Sequence, residues 1–181
     1  MLRLIILDRD GVINQDSVAF IKKASEWAPL PQSLEAIAAL SQAGFLVHVA
    51  TNQSGIGRGL FSLDDLEAIH QKMHQSLAAL GGKVDFIAFC PHRPEEACVC
   101  RKPKPGLIHQ CLQKASVLPQ DAFVIGDSLR DLEAAKAASC LSALVLTGNG
   151  IKTQQENPDW CNATPVFENL WAATQYLRHL A

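Results

Sequence analysis

Leu4-Ile5-Ile6-Leu7-Asp8-Arg9-Asp10-Gly11-Val12 joins an apolar tetrad directly to a pair of carboxylates. Four consecutive large aliphatic residues predict a strand buried on both faces, as in the middle of a parallel sheet. Two acids two residues apart follow, then a glycine that permits a sharp exit. Open α/β sheets bind ligands outside the carboxyl ends of their strands, so Asp8 and Asp10 fall where chemistry is done. A lone Asp after a strand is most often a cap or a turn residue. The D-x-D-G spacing argues for function, because like charges that close are costly unless a cation lies between them.

The rest of the chain alternates between strand and helix patterns. Leu2–Leu7, Phe45–Ala50, Phe86–Phe89, Phe123–Ile125 and Ala143–Leu146 read as strands. Between them, Ser33–Ala43 carries apolar residues at helical spacing and stops at Gly44. Ser62 opens a long helix to about Leu80, with Asp65 as a capping-box variant and Gly81-Gly82 as its stop. Helices are expected at 106–116, at 129–138 and from Leu170. Residues 14–31, with Trp27, Pro29 and Pro31 near their end, predict an irregular flap rather than a domain. This alternation means a parallel sheet with helices on both faces, and no linker divides the 181 residues.

Composition narrows the function. Hydrophobic content of 48% with 19% charged residues is ordinary for a globular chain. A net charge of −2 without a block of like charges argues against nucleic-acid or membrane surfaces. No apolar run approaches the roughly 20 residues of a membrane span, and the apolar stretch between Arg3 and Asp8 is too short for a signal peptide. Cytoplasm is the expected location, where six cysteines are reduced thiols or metal ligands.

Further signals fall at strand ends. Thr51-Asn52-Gln53-Ser54-Gly55-Ile56-Gly57-Arg58-Gly59 follows the second strand and offers small donors, open amides and a planar guanidinium, all suited to phosphate oxygens. Gly126-Asp127-Ser128-Leu129-Arg130-Asp131 follows the fourth, so Asp127 occupies the same relative place as Asp8 and can share a divalent cation with it. Asp131, one helical turn on, reads equally as an orienting group or as a charge on the helix's first turn.

Cys90-x-His92-x5-Cys98-x-Cys100 places four soft or imidazole ligands within eleven residues, with no position left open for water. That pattern predicts structural zinc holding a loop. Cys111, Cys140 and Cys161 lack such partners, and the pair His70 and His74 reads as helix surface. Arg101-Lys102 directly follows the zinc pattern, and a tethered basic pair beside carboxylates suits a transferring phosphoryl group.

Taken together, D-x-D-G-V, T-N-Q, a lysine ahead of a helix and G-D-x-x-x-D resemble the four motifs of the haloacid-dehalogenase superfamily of phosphohydrolases. T-N-Q-S-G-I-G-R-G, C-P-H and C-x-C-R-K-P-K-P-G more closely resemble its branch of D-glycero-D-manno-heptose 1,7-bisphosphate 7-phosphatases, over about residues 3–150. Histidinol-phosphate phosphatases rank second: they share the zinc loop and its short His92–Cys98 spacer but lack the S-G-x-x-R-G continuation. Val12 departs from the Thr of many relatives.

The resemblance implies one domain over 1–181, a three-layer Rossmann-like sheet of haloacid-dehalogenase type with a minimal cap and a zinc-stapled loop. It implies a monomeric enzyme that removes the C7 phosphate of a heptose bisphosphate for surface-polysaccharide precursors, by way of an aspartyl-phosphate. Asp8 is then the nucleophile and Asp10 the general acid and base, while Thr51 and Lys102, rather than Lys104, hold phosphoryl oxygens. Mg²⁺ falls to Asp8, Asp127 and the Asp10 carbonyl, and Zn²⁺ to Cys90, His92, Cys98 and Cys100. Substrate contacts fall to Asn52, Gln53, Ser54, Arg58, Arg101, Ser128 and, in the flap, Asp16 to Ala19. A receiver-like phosphate-sensing domain is the non-enzyme alternative, but it has no use for Asp10 or for a zinc loop.

Overall fold

The computed structural model describes residues 2–179. Its centre is β1 (Leu4–Leu7), whose four residues are all fully buried. Alternate side chains of a strand point to opposite faces, and here they enter two different cores. Ile5 and Leu7 join one with Ile37, Leu40, Ile69, Met73 and Leu177; Leu4 and Ile6 join the other with Leu107, Ile108, Leu112 and Ala134. An apolar tetrad without alternation is therefore what a strand sandwiched between two helical layers requires.

In chain order the elements are α1 (Ser33–Gln42), β2 (Leu46–Asn52), the short α2 (Ser54–Gly57), α3 (Leu63–Ala78), β3 (Phe86–Cys90), α4 (Gly106–Ala115), β4 (Ala122–Gly126), α5 (Leu129–Ala137), β5 (Leu141–Val145), α6 (Gly150–Glu156), α7 (Pro158–Asn162), β6 (Val166–Phe167) and α8 (Leu170–Arg178). The sheet runs β3-β2-β1-β4-β5-β6, parallel throughout. That order reverses direction at β1, the switch point where a crevice opens at the carboxyl ends. Leu7 pairs with Val49 on one side and Ile125 on the other. The register therefore brings Asp8 into line between the ends of β2 and β4, beside Thr51 and Asp127.

The capping box of α3 is present, Ser62 accepting from the Asp65 amide at 3.1 Å and Asp65 from the Ser62 amide at 2.8 Å. Two expectations shift. β2 runs on through Thr51 and Asn52, which pair with Phe89 and Cys90, and β5 starts at Leu141. β6, α6 and α7 go beyond the sequence reading. Among the described residues no helix is long and apolar enough to cross a membrane.

Candidate active site

Asp8, Asp10, Asp127 and Asp131 converge on one cleft of about 280 Å³ at the carboxyl ends of β1, β2 and β4. Thr51, Asn52, Gln53, Ser54, Arg101, Lys102, Ser128 and the flap residue Asp16 line it as well. Close approach of backbone to carboxylate shapes its floor. Gly11 (φ +86°) and Gly148 (φ +56°) both sit against Asp127 Oδ2, where a side chain on either would collide. Thr147 donates to the Gly11 carbonyl at 2.7 Å and fastens that turn.

The electrostatics at β1 are divided. Burial pushes the Asp8 carboxyl up to about 8 against the pull of Lys102, with Asp131, Asp127 and Asp10 adding to the rise. Burial and Asp131 lift Asp127 to about 6, against hydrogen bonds from the Asn149 amide at 2.8 Å and side chain at 3.1 Å. Asp10 moves the other way: burial opposes its ionisation, but Arg9, Asn14 and Gln53 hold its carboxyl below the ordinary range. Arg9 donates to it from Nε at 3.1 Å and Nη2 at 2.9 Å, Asn14 at 2.8 Å and Gln53 at 2.9 Å.

Lys102 is buried with its ammonium 3.1 Å from Asp8 and 2.5 Å from Asp131, and donates to the Ala50 carbonyl at 2.7 Å. Burial works against its charge, and the two carboxylates more than offset it, so its pKa stands above the ordinary value. Asp131 holds Lys102 with one oxygen and caps α5 with the other, accepting from the Ser128 amide at 3.1 Å and hydroxyl at 2.6 Å. Both readings of Asp131 thus apply to one side chain. Lys104 donates instead to the Ala97 and Cys98 carbonyls, at 3.1 and 2.6 Å.

Two metal-binding groupings stand out. Ligand atoms of Asp8, Asp127 and Asp131 lie within 4.8 Å of one another; both Asp131 oxygens are engaged, by Lys102 and Ser128, whereas the bonds to Asp8 and Asp127 fall on one oxygen each, so these two are the pair that could share a cation. Such a hard oxygen site suits Mg²⁺. Cys90, His92, Cys98 and Cys100 form the second. Five of the six distances among their Sγ and Nδ1 atoms are 3.2–3.6 Å. A tetrahedron with Zn–S near 2.3 Å and Zn–N near 2.0–2.1 Å has edges of about 3.5–3.8 Å, so the four groups fit zinc with little adjustment. The stapled loop is tied to the site: Gln53 donates its amide to the Cys90 carbonyl at 2.7 Å, and Gly57 to that of Pro91 at 3.0 Å. Asn52 brackets Lys102, giving to its carbonyl and accepting from its amide, both at 3.1 Å.

One expectation needs correction, and two residues stand apart from the lining. Arg58 caps α2, exposed to solvent, outside the residues that line the cleft. Ala19 is exposed outside them as well; Asp16 and Ser17 of the expected stretch line the cleft, joined by Phe20 and Ile21. His70 is buried rather than on the helix surface, its Nε2 3.3 Å from Arg9 Nη1. Arg9, Arg130 and Asn149 were missed. A cation between two acids was a legible signal for Arg9, whereas Arg130 and Asn149 lie in stretches with no distinguishing pattern.

A parallel sheet with a D-x-D strand end, a buried lysine and a second acid pair one strand away defines a hydrolase of the haloacid-dehalogenase class. Residues 99–173 match the HAD-hydrolase-like family model. The chain is 51% identical over 178 residues to D-glycero-beta-D-manno-heptose-1,7-bisphosphate 7-phosphatase of Bordetella bronchiseptica, covering 97% of this chain and 98% of that one. It is 53% identical to the Pseudomonas aeruginosa enzyme of the same name, over 96% and 97% of the two chains. Its fold superposes with a TM-score of 0.94 on the D,D-heptose 1,7-bisphosphate phosphatase of B. bronchiseptica complexed with magnesium and phosphate, at 50% identity over 99% and 100% of the chains. The chain belongs to the D-glycero-beta-D-manno-heptose-1,7-bisphosphate 7-phosphatase family.

Proposed function

We propose that this protein is a Mg²⁺-dependent phosphatase that removes the C7 phosphate of D-glycero-β-D-manno-heptose 1,7-bisphosphate through an aspartyl-phosphate on Asp8. The observation that carries it is the near-complete overlap, at about half identity, with phosphatases of that name. The reading places the protein in the cytoplasm as one domain and a monomer, with a small phosphosugar as its partner.

The chain's own groups divide the work. Asp8 is the nucleophile, its carboxylate kept 3.1 Å from the Lys102 ammonium so that an anion can attack an anion. Lys102 and Thr51 receive the phosphoryl oxygens, and Asp131 keeps Lys102 charged and in place. Asp10 enters the cycle ionised, because Arg9, Asn14 and Gln53 stabilise its carboxylate. An arriving phosphate dianion raises its pKa; the proton it then takes from solvent is delivered to the leaving sugar oxygen. The same carboxylate later removes a proton from the water that releases phosphate from Asp8.

Asp8, Asp127 and the Asp10 carbonyl would hold Mg²⁺, which neutralises charge on the phosphate. Cys90, His92, Cys98 and Cys100 would hold Zn²⁺ without chemistry. Arg101 and Asp16, with Asn52, Gln53, Ser54 and Ser128, line the part of the cleft open to the sugar and its second phosphate.

Phosphate release from a panel of sugar bisphosphates, with histidinol phosphate included, tests the assignment. The heptose bisphosphate should give the highest kcat/KM, and preference for histidinol phosphate would overturn it. Asp10→Asn should keep Mg²⁺ binding and lose at least ~10²-fold in turnover, the scale of a general acid–base group.

A further inference from the structure

Asp10 is gripped from behind by a side chain that never reaches the cleft. Arg9 is completely buried, and its Nε and Nη2 take both Asp10 oxygens, at 3.1, 2.9 and 3.0 Å. The remaining nitrogen, Nη1, lies 3.3 Å from Nε2 of His70, 61 residues away on α3. A guanidinium only donates, so Nε2 must accept and the ring must be neutral with its hydrogen on Nδ1. The surroundings agree: burial, Arg9 and the neighbouring His74 push the imidazole down to about 3.

The same face of α3 otherwise buries Leu66, Ile69, Met73 and Leu77, so His70 is the one polar side chain this helix sends into the interior. An arginine has much rotamer entropy to lose. An acceptor at the far end of the fork leaves the guanidinium plane one orientation, and Asp10 follows that plane.

We propose that His70 is a positioning residue for turnover: through Arg9 it sets the orientation in which the Asp10 carboxylate exchanges its proton, while touching neither substrate nor metal. This rests on Asp10 being the proton carrier. Asn14 and Gln53 also hold Asp10, so loss of His70 loosens the carboxylate without expelling it.

The test is steady-state kinetics on the Mg²⁺-loaded enzyme for His70→Leu, His70→Gln and Asp10→Asn. Misplacement of a catalytic group by an ångström costs up to about 10²-fold. His70→Leu should therefore lower kcat roughly 10-fold, with KM and Mg²⁺ affinity within about twofold of wild type. His70→Gln offers a carbonyl to the same Nη1 and should recover most of the loss. Equal losses in the two variants, an unchanged kcat in His70→Leu, or a fall carried by KM would each overturn the proposal. If the leucine variant does not fold, His70→Ala with added imidazole replaces it, since an open cavity of about 290 Å³ borders His70. Rescue of turnover then supports the proposal and absence of rescue overturns it. Near-normal turnover in Asp10→Asn would instead sink the reading of Asp10 itself, whatever His70 does.

Discussion

Two irregular segments border the same cleft, and they are held by opposite means. The flap, residues 14–31, carries a single turn of 3-10 helix at Ala24–Glu26. It is fastened by ordinary folding forces. Gln15 donates its amide to the Ala28 carbonyl at 3.0 Å and Leu30 to that of Ile13 at 2.9 Å. Trp27 is buried in the core beneath it, and Lys72 of α3 reaches the carbonyls of Ala24 and Trp27 at 2.8 and 2.7 Å. The loop from Pro91 to Arg101 has backbone ties as well, Gly57 to the Pro91 carbonyl and Lys104 to those of Ala97 and Cys98, but it buries no apolar side chain of its own. Its Pro94–Glu96 turn is exposed, Val99 is 81% exposed, and what it turns inward is the half-buried group His92, Cys98 and Cys100, against Cys90 of β3. Where a segment buries no apolar side chain, four ligand bonds to zinc would do the same job. The loop that delivers Arg101 and Lys102 should therefore depend on a metal, and the flap that delivers Asp16 should not.

Breaking the staple should have the largest effect. Cys98→Ser is expected to lose zinc and to lower the thermal midpoint by about 10 °C or more, since structural zinc contributes many kcal/mol of folding energy and each kcal/mol shifts a domain of this size by about 2–4 °C. Because Asn52 brackets Lys102, the damage should travel into the site as a raised KM, with Mg²⁺ affinity much less affected. Elemental analysis and a thermal melt check it. Zinc-free protein with wild-type KM would remove the metal from the account.

Breaking the flap comes next. Trp27→Ala deletes a buried indole, which costs about 3–5 kcal/mol. Chemical denaturation should register that loss while zinc content stays at wild type. A flap variant that also sheds zinc would mean that the two segments are not independently held.

Arg101→Ala sharpens the comparison without unfolding either side. Its guanidinium is half-buried, and burial together with nearby Arg130 pushes its pKa down. Its one protein hydrogen bond among the described residues, 3.3 Å to the His92 carbonyl, keeps it on the zinc loop and leaves most of the fork open to the cleft. A charged hydrogen bond to an anion is worth roughly 1.5–3 kcal/mol, so kcat/KM for the heptose bisphosphate should fall about 10–150-fold. Hydrolysis of a simple aryl phosphate should barely change. Equal loss on both substrates would mean that Arg101 serves the transferring phosphoryl group.

What the sequence made legible follows the same division. Apolar tetrads, helix stops and strand-end acids are short-range signals, and they located β1, the cleft and both candidate metal groups. The zinc loop was readable because its ligands sit within eleven residues of one another. The flap was readable as an irregular segment, but its lining by Phe20 and Ile21 and its anchor on α3 were not, because they depend on packing between distant segments. His70 is the sharpest case: its spacing from His74 looks like helix surface, and only the burial of Arg9 turns it inward. β6 spans two residues, too few for any periodicity to register.

The last prediction needs no substitution and concerns the floor between the two segments, where burial raises Asp8 to about 8 and Asp127 to about 6 from an ordinary 3.8. A carboxyl raised by folding binds its proton more tightly in the native state than in the unfolded chain. Stability of the metal-free protein should thus be highest below pH 4 as far as these two groups are concerned. It should decline as pH rises to about 6 for Asp127 and about 8 for Asp8. Mg²⁺ needs both groups ionised, so its binding runs the opposite way and displaces protons. Affinity should climb up to about tenfold per pH unit for each group still protonated, most steeply below pH 6, where both are, and by about tenfold per unit between pH 6 and 8, where only Asp8 is. Thermal melts with and without Mg²⁺ across pH 5–9 measure both slopes at once. The gap between the two curves should widen with pH and level off above 8. A gap that stays constant from pH 6 to 8 would mean that Asp8 is already ionised without the metal, held so by Lys102 alone.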